Sequence, residues 1–117
     1  MFEISLIKEP ISRTELQKIA ESGFGDLVKA VVDLKQDIMS VGGELHADEE
    51  VLLVEKCGSK REDTWGINLY PGKPGSEMIE FDSIVNIKPS YGNRSRDIES
   101  SEIKQKIKDI VERLIKE

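Results

Sequence analysis

The residues best suited to chemistry stand in "GGELHADEE", from Gly42 to Glu50, where Glu44, His46 and Asp48 follow at alternate positions. His46 is the chain's one histidine. On an extended backbone alternate side chains share a face, which would set one imidazole between two carboxylates. A carboxylate orients an imidazole for general acid or base work and raises its pKa. The same trio offers one nitrogen and two oxygens to a divalent metal ion. One histidine per chain excludes a two-histidine triad or a three-histidine zinc site within a monomer, leaving a carboxylate-rich site with Asp33 or Asp82 as further ligands. On a helical backbone the alignment changes to Glu44 with Asp48 and His46 with Glu50. The acids then have a plainer role, because Asp48, Glu49 and Glu50 suit the positive end of a helix dipole.

A second set lies in "YGNRSRD", Tyr91 to Asp97. Successive amides after Gly92, with Asn93, the fork of Arg94 and the hydroxyl of Ser95, are the groups that hold a phosphate or carboxylate. A solvated connection into the following helix is the plainer reading. Asn68 and Asn86 fall within apparent strands, where asparagine is disfavoured. With Tyr70 and Glu80 they would line a polar sheet face, either the floor of a ligand site or a wet surface. Cys57 has Lys56 and Lys60 nearby, yet reads best as a small buried hydrophobe.

Elements that would position these groups follow from local pattern. "FEISLI" (2–7) alternates as a strand. "ISRTEL" starts a helix with a capping box, Ser12 and Glu15, and a hydrophobic staple, Ile11 and Leu16; Gly23 is a natural stop. "ADEEVLLVEKCGS" reads as a second helix ending at Gly58, with a buried strand through "VLLV" as the alternative. "TWGINLYPG" alternates as a strand. "EMIEFDSIVNIKP" is expected to return as another, with Ile79, Phe81, Val85 and Ile87 on one face, and "PGKPGS" is the loop between them. From Ser100, Ile103, Ile107, Ile110, Val111 and Leu114 form the stripe of a last helix. Residues 27–43 satisfy helical and alternating patterns alike.

The segments "GGELHADEEVLL", "GSKREDTWGINLYP", "SIVNIKP" and "GNRS" resemble those of a family of small prokaryotic proteins catalogued as a domain of unknown function. The resemblance spans nearly the whole chain and implies no activity. It does imply that 27–43 is a β-hairpin, with a short charged turn between "VVD" and an aliphatic strand that ends at the glycine pair. The expected fold is therefore one α+β domain over 1–117, in the order β-α-β-β-α-β-β-α. An antiparallel sheet of four or five strands would be covered on one face by the terminal helices.

Bulk properties bound the function. A chain of 117 residues holds one core. A net charge of −6 argues against nucleic-acid binding, which relies on basic surface. The single cysteine points to a reducing cytoplasm, and no apolar run approaches a membrane span. The first expectation is a cytoplasmic protein that binds an anionic small molecule or a divalent metal, with hydrolase or transferase chemistry carried by Glu44, His46 and Asp48. Asn68, Asn86, Asn93, Arg94 and Ser95 would supply ligand contacts. The alternative is a non-catalytic module that pairs with itself as a homodimer.

Overall fold

The computed structural model describes residues 2–117. Strand β1 (Ser5–Ile7) leads through β2 (Ile11–Ser12) into helix α1 (Arg13–Glu21). The α1 capping box forms, with the Glu15 amide donating to Ser12 Oγ at 3.0 Å and the Ser12 amide to Glu15 Oε1 at 3.4 Å. The helix ends at Glu21, ahead of Gly23.

Residues 27–43 form the expected hairpin, β3 (Val28–Asp33) and β4 (Ile38–Val41). Its turn is organised by Asp33, whose Oδ1 accepts from the amides of Lys35 and Gln36. Asp37 takes a left-handed conformation (φ 56°), which aspartate tolerates better than most residues. Helix α2 (His46–Cys57) follows and stops at Gly58, left-handed at φ 67°. Strand β5 (Thr64–Leu69), the short β6 (Ile79–Glu80), helix α3 (Ser101–Leu114) and β7 (Ile115–Lys116) complete the chain.

The main sheet is antiparallel, in the order β1-β4-β3-β5-β6; β2 and β7 form a separate parallel pair. Alternation divides its side chains between two layers. Val28, Ala30 and Val32 of β3, Met39 and Val41 of β4, and Trp65, Ile67 and Leu69 of β5 face α1 and α3 in the larger core. Val31, Ile38 and Leu53 form a smaller cluster under α2, joined by Leu6 and Cys57. The terminal helices thus share one face, as expected, and α2 covers the other. This second face is the polar one, with Ser40, Glu49, Glu50, Thr64, Asn68, Ser83 and Asn86 all buried on it or against it.

One expected element differs. Residues 78–88 do not make a continuous strand; pairing with β5 is confined to Ile79 and Glu80. The chain then turns over the α2 face of β5 in a 3-10 turn, Ile84–Asn86. Ile79 and Phe81 pack on the larger core, Val85 is buried against Gly66, and Ile87 is 38% exposed, so the four apolar residues do not share a face. Gly66 permits the turn: a Cβ there would lie 2.5 Å from Ser83 Oγ and 2.6 Å from Ser83 Cβ.

Candidate functional site

His46 is the first residue of α2, behind an extended Leu45 that caps the helix without a side-chain bond. The helical backbone removes the extended face that would have flanked the imidazole with Glu44 and Asp48. Both carboxylates are exposed, and neither is bonded to His46. His46 instead aligns with Glu50, and the two reach down to β5. His46 Nε2 lies 2.8 Å from the Ile67 carbonyl oxygen, and Glu50 Oε2 accepts from Thr64 Oγ1 at 2.7 Å. Because a carbonyl only accepts, Nε2 carries the proton and Nδ1 carries the lone pair in the neutral ring. Among the described residues Nδ1 has no hydrogen-bond partner. Burial lowers the His46 pKa; the Ile67 carbonyl opposes this, Lys29 adds to it, Asp82 opposes it and Arg96 adds to it. The half-buried ring is therefore neutral at pH 7.

Glu49, which the sequence assigns to the helix dipole, is fully buried. Its Oε2 accepts from the Gly43 amide at 2.8 Å, while Oε1 has no partner among the described residues. Burial holds its pKa well above the ordinary carboxylate value, against the lowering effects of the Gly43 amide and Lys29. The glycine pair makes this approach possible. Gly42 adopts φ 94°, and a Cβ on it would lie 2.6 Å from the Glu3 carbonyl oxygen; a Cβ on Gly43 would lie 3.0 Å from Glu49 Cγ.

Of the asparagines, only Asn68 stands on the polar sheet face as expected. Its Nδ2 donates to Glu80 Oε1 at 2.8 Å and to the Asp82 carbonyl, and its buried Oδ1 has no partner among the described residues. Tyr70 adds its hydroxyl to Glu80 Oε1 at 3.2 Å. Asn86 is a brace in the 3-10 turn, not a strand residue. Its Oδ1 accepts from the Gly66 amide at 2.7 Å, and its Nδ2 donates to the Gly66 and Arg96 carbonyls. This side-chain amide substitutes for a neighbouring strand at Gly66, beyond the reach of β6. Asn93 is equally committed, donating to the carbonyls of Asn86, Ser95 and Asp97 and accepting from the Glu99 amide.

Of the groups expected to hold an anion here, the Arg94 amide and the Ser95 hydroxyl are taken by the chain's own carboxylate, and the Asn93 amide by the Lys88 carbonyl. Glu99 Oε2 accepts from the Arg94 amide at 2.7 Å and from Ser95 Oγ at 3.4 Å. Arg96, which the sequence did not single out, is the basic residue of this segment that bears on His46. Its Nε pairs with Asp82 Oδ1 at 2.6 Å. The Arg96 charge acts on His46, and the Arg96 carbonyl is tied by Asn86 to Gly66 of β5; among the described residues no hydrogen bond or ion pair joins His46 to Asn93, Arg94 or Ser95. Asp33 lies at the hairpin turn, bonded to Gln36 Nε2 and Ser59 Oγ as well as to the turn amides. Among the described residues, no three His, Cys, Asp or Glu side chains are grouped to hold a metal ion.

Residues 5–114 match the model of a family described as a protein of unknown function (DUF5674). The chain belongs to this family. The DUF5674 match begins at the first residue of β1 and ends at the last of α3, so it takes in both sheet faces and every residue around His46. No curated protein and no solved structure matches the chain. Among the described residues, no helix is long and apolar enough to cross a membrane.

Proposed function

We propose that the polar face of β5, beneath the start of α2, binds a small anionic ligand such as a phosphate or carboxylate, with His46 as its acid–base group. The observation that carries this reading is the state of His46: a neutral, half-buried ring, fixed by the Ile67 carbonyl, with Nδ1 unengaged and the charges of Lys29 and Arg96 acting on it. An arriving anion favours the imidazolium, so Nδ1 takes up a proton and donates it in a hydrogen bond to the ligand. Arg96 then shares its charge between Asp82 and the ligand. A histidine that gains and returns a proton is what hydrolytic or transfer chemistry asks of a general acid–base group. An anion suits this geometry better than a divalent metal, because His46 has no pair of carboxylates beside it. Within this reading the protein works in the cytoplasm, on the strength of its lone Cys57.

The test is an NMR titration of the His46 ring. In ligand-free protein its midpoint should lie below the ordinary histidine value, because the ring is buried. Inorganic phosphate should raise that midpoint, and Arg96→Ala should diminish the rise. A midpoint unmoved by about 10 mM phosphate, well above typical metabolite affinities, would sink the proposal.

A second reading, self-association, draws on Val51 and Val54, 51% and 44% exposed on α2, and Ile84, 67% exposed on the turn that α2 packs against. Apolar surface of this kind suits a homodimer. Sedimentation showing a monomer at all concentrations would remove it.

A further inference from the structure

Away from His46, on the side of the sheet covered by α1 and α3, lies an open cavity of about 490 Å³. It sits between the C-terminal turns of α3, strand β7 and the 75–79 segment. We propose that this cavity is a second binding site, and that it takes an amphipathic monoanion: an apolar chain or ring ending in one carboxylate. The volume lies within the range of small-molecule sites.

The floor and rim differ in chemistry. Met78, Ile79, Val111 and Ile115 supply apolar surface continuous with the larger core. At the rim, Arg13 is committed: its Nη1 donates to the carbonyls of Pro71 and Lys73, both at 2.9 Å, and its Nε and Nη2 to Glu117 Oε2. It therefore shapes the wall without offering a free charge. Lys108 and Lys116 also line the cavity, and among the described residues neither ammonium has a hydrogen-bond or ion-pair partner. Two uncommitted cations beside an apolar floor, in a chain of net charge −6, form a local exception to its acidic surface. Glu112 lies at the same rim, and among the described residues its carboxylate has no hydrogen-bond or ion-pair partner. It sets a limit of one negative charge on the ligand, because a dianion would meet it unfavourably.

Apolar burial supplies the affinity here, and the lysines fix the direction of entry. Decanoate is a suitable probe. Titrated into the 15N-labelled protein, it should shift the amides of residues 75–79 and 108–117. Lys108→Ala with Lys116→Ala should weaken it by up to about tenfold, the sum of two exposed ion pairs. Glu112→Gln should tighten it. Ser76→Trp, at an exposed lining position, should block it without disturbing the fold. Decanol, of the same length without charge, should bind about tenfold more weakly than decanoate. The proposal is overturned by equal affinity for decanol and decanoate, by shifts centred on Val51 and Val54 of α2, or by no shifts up to about 5 mM, an affinity too weak to be a site.

Discussion

Glu49 and Lys88 are charged residue types on the inside of a small protein, and their environments push them in opposite directions. Glu49 keeps one oxygen on the Gly43 amide and leaves the other unpaired, so burial favours its protonated form. Lys88, 2% exposed, donates from Nζ to the carbonyls of Arg61 and Thr64 and lies 4.0 Å over the Trp65 ring. Burial lowers its pKa to about 8. The linkage consequences differ in sign. With a folded pKa above its unfolded value, Glu49 contributes stability that is full below about pH 4.5 and is lost as pH rises through the folded pKa. With a folded pKa below its unfolded value, Lys88 contributes stability that is full above about pH 10.4 and is lost as pH falls through about 8. Urea midpoints should therefore fall from pH 5 to pH 8 on account of Glu49. Glu49→Gln, which cannot ionise, should flatten that limb, and an unchanged limb in the variant would mean that Glu49 is ionised in the folded protein.

At the scale of elements, the α2 face of β5 depends on a side chain standing in for a strand. Asn86→Ala removes the partner of both Gly66 backbone groups and one of two donors to the Arg96 carbonyl, all in a buried place. It should cost about 2–4 kcal/mol, as broken buried hydrogen-bond networks do. It should also expose the Gly66 amide to hydrogen exchange, which a general loss of stability would not do selectively. This brace shows where the sequence stops being legible. The Ser12–Glu15 box and the Gly58 stop are written within a few residues, and both form as read; the last helix starts after Ser100, whose side chain caps it at the Ile103 amide. The hairpin needed the family resemblance, because 27–43 satisfies two periodicities at once. The 81–91 segment could not be read locally: its Val85 and Ile87 imitate strand alternation, while its course is set by Gly66, some twenty residues earlier, which has no Cβ to keep Ser83 away. The candidate site divides the same way. His46 was visible as a chemical type, and its alignment with Glu50 followed from the helical alternative. That Glu49 turns inward, that Glu99 takes the Arg94 amide and Ser95 hydroxyl, and that the Arg96 charge acts on His46 are long-range outcomes without a local signature.

For the molecule as a whole, the strand after the last helix is fastened to the strand that leads into the first. Strand β7 lies parallel to β2, with Ile115 opposite Ile11 and Lys116 opposite Ser12. Ile115, 6% exposed, carries the larger core into this pairing. Arg13 binds three separate pieces of chain here: its own position at the start of α1, the 71–73 loop after β5, and Glu117. Its contacts are unequal in worth. Glu117 is a side chain 83% exposed, and ion pairs at such positions are screened and contribute little. The carbonyls of Pro71 and Lys73 receive charge-assisted bonds from one fixed nitrogen, which tie a loop rich in proline and glycine to the start of α1. Glu117→Ala should thus change stability by less than about 0.5 kcal/mol, whereas Arg13→Ala should cost about 1–3 kcal/mol. Arg13→Lys should recover only part of that loss, because an ammonium lacks the planar fork that spans two carbonyls and a carboxylate. Denaturant unfolding of the three variants ranks them. Equal losses for Arg13→Ala and Glu117→Ala would place the stabilisation in the ion pair and leave the 71–73 loop held by its own turn.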